Sequence, residues 1–358
     1  MKKWLLLIFL TFTVSVYCPA LFSGTSAQAP ETNNTEAEKL IKEGIHLHGQ
    51  GQYLKAINKY RESLKIKPDN PLAHYEIAYT YFAHGDYNKS LSSALKALEF
   101  KSDIKGIIYL QIGTCLDVLG KPEEAIKYYQ EGIKTSPNNY LLHFNKGITY
   151  WGMKQYKNAN TGFKKAAQLK PDHASSHLAL ATGYLDDEYR IPSLLAYCRF
   201  LILEPHSKRT GNALITFQKV LRMDVSKKSD KNITIYVPEN TPTYDGDFSA
   251  ARLALSLTSS TRYLEKNKNT HPIDFVINQL ESLFTIIREL NENNNYPGFA
   301  WEYYAPYFME MQKKGHVKAF VYFIFQLAKD EYIKAVIEKN RPAILQFLKW
   351  SENYNFKK

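Results

Sequence analysis

Few residues in this sequence have the type and spacing to do chemistry. His74, His143 and His177 recur in a regular frame, and three imidazoles on one face would form a metal ladder. Asp186-Asp187-Glu188 offers three consecutive carboxylates for a hard cation such as calcium, but at an inter-helix turn three solvated carboxylates are the better explanation. Glu302 lies among Phe299, Tyr303 and Tyr307, where an acid in apolar surroundings would keep its proton and serve as a general acid. Glycoside-type chemistry needs a second carboxylate, and no partner for Glu302 is identifiable. Cys115 and Cys198 are 83 residues apart and read as two inert thiols rather than a disulfide. The sequence has no G-x-S-x-G, no phosphate-binding Gly-Lys loop, no H-E-x-x-H and no C-x-x-C. No catalytic residue, metal ligand or cofactor is therefore assigned.

The elements that carry these residues follow from periodicity. Pro68, Pro137, Pro171 and Pro205 are separated by 69, 34 and 34 residues, a 34-residue period with one lengthened unit. Five units result: 37–70, 71–105, 106–139, 140–173 and 174–207. In each, Gly44, Ala78, Gly113, Gly147 or Ala181 marks where two helices approach closely. Ala56, Ser90, Ala125, Ala159 and Ser193 are the matching small residues on the second helix, and large side chains fill the volume around them at helical spacing. Gly51-Gln52, Gly85-Asp86 and Gly120-Lys121-Pro122 mark tight turns, and Asn70-Pro71 supplies an N-cap with proline at the first helical position. In this frame His74, His143 and His177 occupy one equivalent position, but the second and fourth units are not neighbours. Packing explains that repetition better than a metal.

These residues resemble the tetratricopeptide-repeat family, with small residues at the eighth, twentieth and twenty-seventh positions and proline near the thirty-second. The resemblance implies a right-handed superhelix whose concave groove is lined by the first helix of every hairpin and receives extended peptides. Helical phase then assigns a partner-binding groove to Tyr75, Tyr79 and Phe82, to Leu110, and to Phe144, Ile148 and Trp151, continued by Ile41, Ile45, Thr114, Leu178 and Thr182. The Lys, Arg and Asn set with which chaperone-binding members clamp a C-terminal carboxylate is missing here. Two readings of the aromatic stripe stand open. It anchors a peptide or partner helix, or it is filled by the C-terminal half or by packing between neighbouring repeats.

The chain ends are of a different kind. Lys2-Lys3 followed by the apolar run Trp4 to Val16 and by Ala27-Gln28-Ala29 predicts a bacterial signal peptide over 1–29, with an uncleaved membrane anchor as the alternative, and a linker over 30–36. The expected location is the periplasm or cell envelope. The formal charge of +11 is spread among alternating acids and bases, which argues for a solvated surface and no nucleic-acid partner. After the repeats come a capping helix over 208–225, a linker or loop over 226–247 containing an extended Ile233 to Val237, and a compact helical domain over 248–358 docked on the last repeat. Its predicted helices are Phe248–Lys266, Pro272–Asn291, Phe299–Lys313, Val317–Glu338 and Pro342–Trp350. The predicted fold class is all-α: a helical-hairpin superhelix followed by a compact α-helical C-terminal domain. The function expected is a non-catalytic scaffold for a protein or peptide partner. The alternatives are an enzyme housed in the C-terminal domain, marked by a pocket around Glu302 or His316, and a self-assembling envelope protein.

Overall fold

A computed structural model describes residues 31–229, 232–238, 242–293 and 296–356. The expected signal peptide or anchor lies outside the described residues. The chain divides into two compact units, Met1–Lys165 and Ala166–Lys358. The described elements are almost entirely helical.

In the first unit the hairpins are α1 (Glu31–Gly49) with α2 (Tyr53–Ile66), α3 (Pro71–His84) with α4 (Tyr87–Leu98), and α5 (Lys105–Val118) with α6 (Pro122–Thr135). They are followed by α7 (Tyr140–Gly152) and α8 (Tyr156–Leu169), whose last turn reaches into the second unit. Local chemistry sets these boundaries. The Asn70 side chain accepts from the amides of Leu72 and Ala73 at 3.0 and 3.3 Å, Pro71 opens α3, and Gly85 closes it with φ of +88°. Asn139 caps α7 in the same way, through the Leu141 amide at 3.1 Å.

The small positions do what their spacing requires. A Cβ on Gly113 would come within 2.5 Å of the Tyr129 ring, and one on Gly147 within 2.7 Å of Phe163. Where the second helix carries serine instead of alanine, the hydroxyl finds a partner across the hairpin. Ser90 Oγ donates to the Ala78 carbonyl at 2.7 Å, and Ser193 Oγ to that of Ala181 at 2.7 Å. Each bond thus joins the twentieth position of a unit to its eighth, so the buried hydroxyl is satisfied.

The second unit begins with the fifth hairpin, α9 (Ala174–Asp186) and α10 (Arg190–Leu203), and the helix α11 (Lys208–Leu221). A two-stranded antiparallel ribbon follows, β1 (Val225–Ser229) with β2 (Asn232–Ile235). Then come α12 (Ser249–Ser260), α13 (Pro272–Asn293), a π-helical turn over Ala300–Tyr304, α14 (Ala305–Lys313), α15 (Val317–Ile324), α16 (Glu331–Lys339) and α17 (Arg341–Glu352). Every residue of α10 except Leu203 is buried, which no helix of the first unit approaches. The C-terminal helices cover it, so the last hairpin belongs to the core of this unit.

Three buried polar clusters tie the unit together. Asp224 is gripped by Arg190 (Nη1 to Oδ2, 3.0 Å) and by Arg252 (Nε to Oδ2, 2.8 Å; Nη2 to Oδ1, 3.1 Å). Arg190 also donates to the Val220 and Leu221 carbonyls at 2.9 and 3.0 Å and to Ser256 Oγ at 2.7 Å. Burial lowers the Arg190 guanidinium to about 10 despite the pull of Asp224, well above neutrality. Asp245 accepts from the Tyr184 hydroxyl and from the Phe299 amide. Tyr303 Oη reaches the Ala167 carbonyl at 2.9 Å, while Tyr304 Oη donates to His177 Nδ1 at 2.8 Å.

The structure departs from the predicted elements in four places. The expected single helix Val317–Glu338 is two, α15 and α16, because the Asp330 carboxylate accepts from the Ile333 amide at 3.0 Å and opens a new helix there. Leu327, expected in line with Phe320 and Phe323, falls in the break and is exposed. Helix Phe299–Lys313 starts as a π turn, since Pro306 has no amide to offer the Glu302 carbonyl and its ring needs the wider turn. Finally, Val225–Ser229 is a strand paired with β2, where the sequence suggested only a polar link.

Candidate partner-binding face

The seven main groove residues predicted all lie on first helices of hairpins in the first unit, whereas Leu178 and Thr182, the predicted continuation, lie on α9 of the second unit. Tyr75, Tyr79 and Phe82 are on α3, Leu110 on α5, and Phe144, Ile148 and Trp151 on α7. All are half-buried except Phe144, which is buried against Phe163 with ring centroids 5.6 Å apart. Trp151 meets the same Phe163 edge-on at 5.8 Å. Tyr75 and Leu110 pack on the apolar cluster of Ala78, Ile108, Ile112 and Leu142, so both fill space between adjacent hairpins. Ile41 is buried beside Tyr60 and Ile77.

Tyr79 stands at the centre of a stack of rings. His48 lies parallel to it at 4.9 Å and 20°, and Tyr75 at 6.2 Å and 15°. His48 is fixed from behind by its Nδ1 contact with Thr80 Oγ1 at 2.9 Å, and Tyr53 closes the edge of its ring at 5.3 Å. Burial lowers the His48 pKa, so the ring is neutral at pH 7 and stacks as an uncharged aromatic. Glu76 sits between the two tyrosines in sequence. Burial lifts its carboxyl to about 7 from 4.5, against the opposing hydrogen bond of Tyr60. The same burial, followed by the charge of Glu76, raises the Tyr79 phenol.

His48 was absent from the predicted set although the signal was present. It follows Ile45 by three residues, as Phe82 follows Tyr79 and Trp151 follows Ile148. In the third unit the same offset leads to Asp117, whose carboxyl is raised by burial and steadied by Thr149. Asn145 Nδ2 donates to Thr114 Oγ1 at 3.2 Å, a polar rung joining α7 to α5.

Most of the chemistry-capable residues are committed to structural contacts. The three histidines of the repeat frame make one and the same contact. His74, His143 and His177 each bring Nε2 to the carbonyl of the proline six residues earlier, Pro68, Pro137 and Pro171, at 3.0, 2.9 and 3.0 Å. They tie each first helix to the turn before it. Among the described residues no three His, Cys, Asp or Glu side chains converge. Asp187 accepts from the Tyr244 hydroxyl at 2.9 Å. Glu302 is exposed, outside any apolar pocket, and accepts from the Gly298 amide at 3.1 Å. Cys115 and Cys198 are buried and free.

A separate open cleft of about 560 Å³ lies beside His316 in the second unit, lined by Glu310, Lys314, Gln346, Lys349 and Trp350 among others. Its carboxylate is committed: Glu310 accepts from Trp350 Nε1 at 3.0 Å and faces Lys314 Nζ at 3.8 Å. Burial, then Lys314, lowers the His316 pKa.

Residues 46–85 match a family model described as TPR repeat, and residues 107–139 and 141–173 one described as tetratricopeptide repeat. A probable UDP-N-acetylglucosamine–peptide N-acetylglucosaminyltransferase SPINDLY of Hordeum vulgare is 26% identical over 147 residues, 39% of this chain and 16% of that protein. TPR repeat-containing protein MJ1428 of Methanocaldococcus jannaschii is 29% identical over 195 residues, 51% of this chain and 30% of the relative. The chain thus spans less than a third of either relative's length. Among solved structures, Pseudomonas aeruginosa pilF is similar at TM-score 0.49 and 21% identity, over 53% of this chain and 86% of that one. The type IV pilus biogenesis factor PilW is similar at TM-score 0.47 and 17% identity, over 67% of this chain and 98% of that one. No family model matches the C-terminal half. Tetratricopeptide repeats are thus present in the N-terminal half of the chain, over residues 46–85, 107–139 and 141–173.

Proposed function

We propose that this chain is an exported bacterial scaffold, without catalytic activity of its own, that holds a protein or peptide partner on the aromatic face of its first helices. The observation that carries this reading is the half-exposed His48–Tyr79–Tyr75 stack, an uncharged aromatic surface held rigid from behind. Rigid aromatic rings bury a large area at small entropic cost, which is why they anchor partners. Proteins with these repeats generally bind protein or peptide partners, which supports the reading. The test is capture from a cell-envelope fraction with the full chain and with the Tyr79→Ala/Trp151→Ala pair. A partner kept by the parent and lost by a still-folded double variant supports the assignment. A variant that melts at much lower temperature would show that these rings serve the core instead.

A second reading rests on the cleft beside His316, the feature that a C-terminal active site or ligand site would need. A small-molecule thermal-shift screen of the parent against Glu310→Gln separates the two. Stabilising compounds lost with that substitution would move the function to the cleft.

A further inference from the structure

More than half of the large apolar side chains exposed among the described residues fall between positions 215 and 264. The centre of this concentration is α12. It buries Ala251, Arg252, Leu255, Ser256 and Ser259 toward its own unit. Its opposite side carries Leu253 and Leu257, one turn apart and 43% and 52% exposed, with Leu264 following at 41%. The β1–β2 ribbon packs against the same helix, and Tyr236 and Val237 leave it 61% and 62% exposed. The helix therefore buries a mixed face, with Arg252, Ser256 and Ser259 beside Ala251 and Leu255, and leaves the leucines of its other side exposed.

Charge decides what covers the other. Ser259 Oγ donates to the Leu221 carbonyl at 2.9 Å, which brings Arg222 to the last turn of α12, from which Arg262 follows. No carboxylate pairs with either guanidinium among the described contacts. Burial and then Arg262 lower the Arg222 pKa. Lys228 and Lys266 add exposed cations on the ribbon and beyond α12, while Glu265 pairs with Lys268 at 2.5 Å. A second copy of this chain, with formal charge +11, would bring like charge to like. Leucines one turn apart with paired arginines at the helix end suit an interface of acyl chains and phosphates. Guanidinium groups bind phosphate oxygens through paired hydrogen bonds.

We propose that the outer side of α12, with Arg222 and Arg262 at its end, rests on an anionic lipid bilayer. No described helix is long and apolar enough to cross one. The test is sedimentation of the full chain with phosphatidylcholine vesicles, with and without phosphatidylglycerol. Hydrogen exchange over residues 249–264 localises the contact independently of the N-terminal apolar run. Phosphatidylglycerol vesicles should slow exchange in α12, and added salt should reverse this. Arg222→Gln/Arg262→Gln should weaken the charge-dependent binding by roughly tenfold or more, at about 1 kcal/mol per basic side chain. Leu253→Ser/Leu257→Ser should weaken it too while keeping the parental melting temperature, because both side chains already face water. Unchanged exchange in α12, or equal binding by the arginine variant, would overturn the proposal. So would vesicle-independent self-association lost with the leucine variant, which would assign this face to a second copy.

Discussion

At the scale of single residues, two buried titratable groups give the two units opposite responses to pH. His177 is held at about 3 by burial and then by Arg199, whereas an unfolded imidazole titrates near 6.5. Above 6.5 both states are neutral and its contribution is complete. As pH falls from 6.5 toward 3 the unfolded chain takes up a proton that the native chain refuses, and stability drains away. His177→Gln should flatten the fall of the urea midpoint across that window relative to the parent. Glu76 runs the other way. Its native pKa, raised to about 7 from 4.5, means full contribution below 4.5 and loss as pH climbs through 7. Glu76→Gln should therefore raise the melting temperature at pH 8 and leave it nearly unchanged at pH 4. Gly113→Ala tests packing alone. The new methyl gains about 1 kcal/mol of helix propensity but strikes Tyr129, and overpacking of this kind costs about 1–3 kcal/mol. Net destabilisation in denaturant titration is the expected result.

At the scale of elements, the helical hairpins were legible because close approach demands small residues at fixed offsets, and Gly44, Gly113 and Gly147 cannot be mistaken once aligned. At the twentieth position the sequence marks Ser90 and Ser193 as small, and each also makes the same cross-hairpin bond. Ser90→Ala should cost about 1–3 kcal/mol, since the bond to Ala78 is lost and the buried Gln111 Nε2 loses an acceptor, read as a shift in urea midpoint. What was not legible depends on contacts between residues far apart in sequence. The strand Val225–Ser229 is polar, and besides pairing with the adjoining β2 it packs on α12, an element well beyond it in sequence. The Arg190–Asp224–Arg252 cluster joins three elements that no local pattern connects. Asp224→Asn would leave two buried guanidinium groups sharing a neutral amide, and breaking such a cluster costs about 3–5 kcal/mol. The second unit should lose its cooperative transition at a lower temperature while the first keeps its own.

At the scale of the whole molecule, the repeats alone give the chain its recognisable part, and the proposed groove residues are assigned by phase rather than by any chemical signature. Phase places a residue on a side of a helix, but not at a depth, which is why Phe144 turned out buried while its neighbours Ile148 and Trp151 kept some exposure. The last repeat differs from the others in its dependence on the C-terminal helices. A chain ending at residue 207 should therefore self-associate in light scattering, because α10 would lose the helices that bury it. Synthesis on the ribosome is affected by the same dependence. The apolar helix Arg190–Leu203 leaves the ribosome well before α15 and α17, the last parts of its cover, exist. Until then it is a sticky segment on a nascent chain, held open for an interval set by translation speed. Stretches of slow codons placed after residue 203 would lengthen that interval, and the yield of native protein should fall with them.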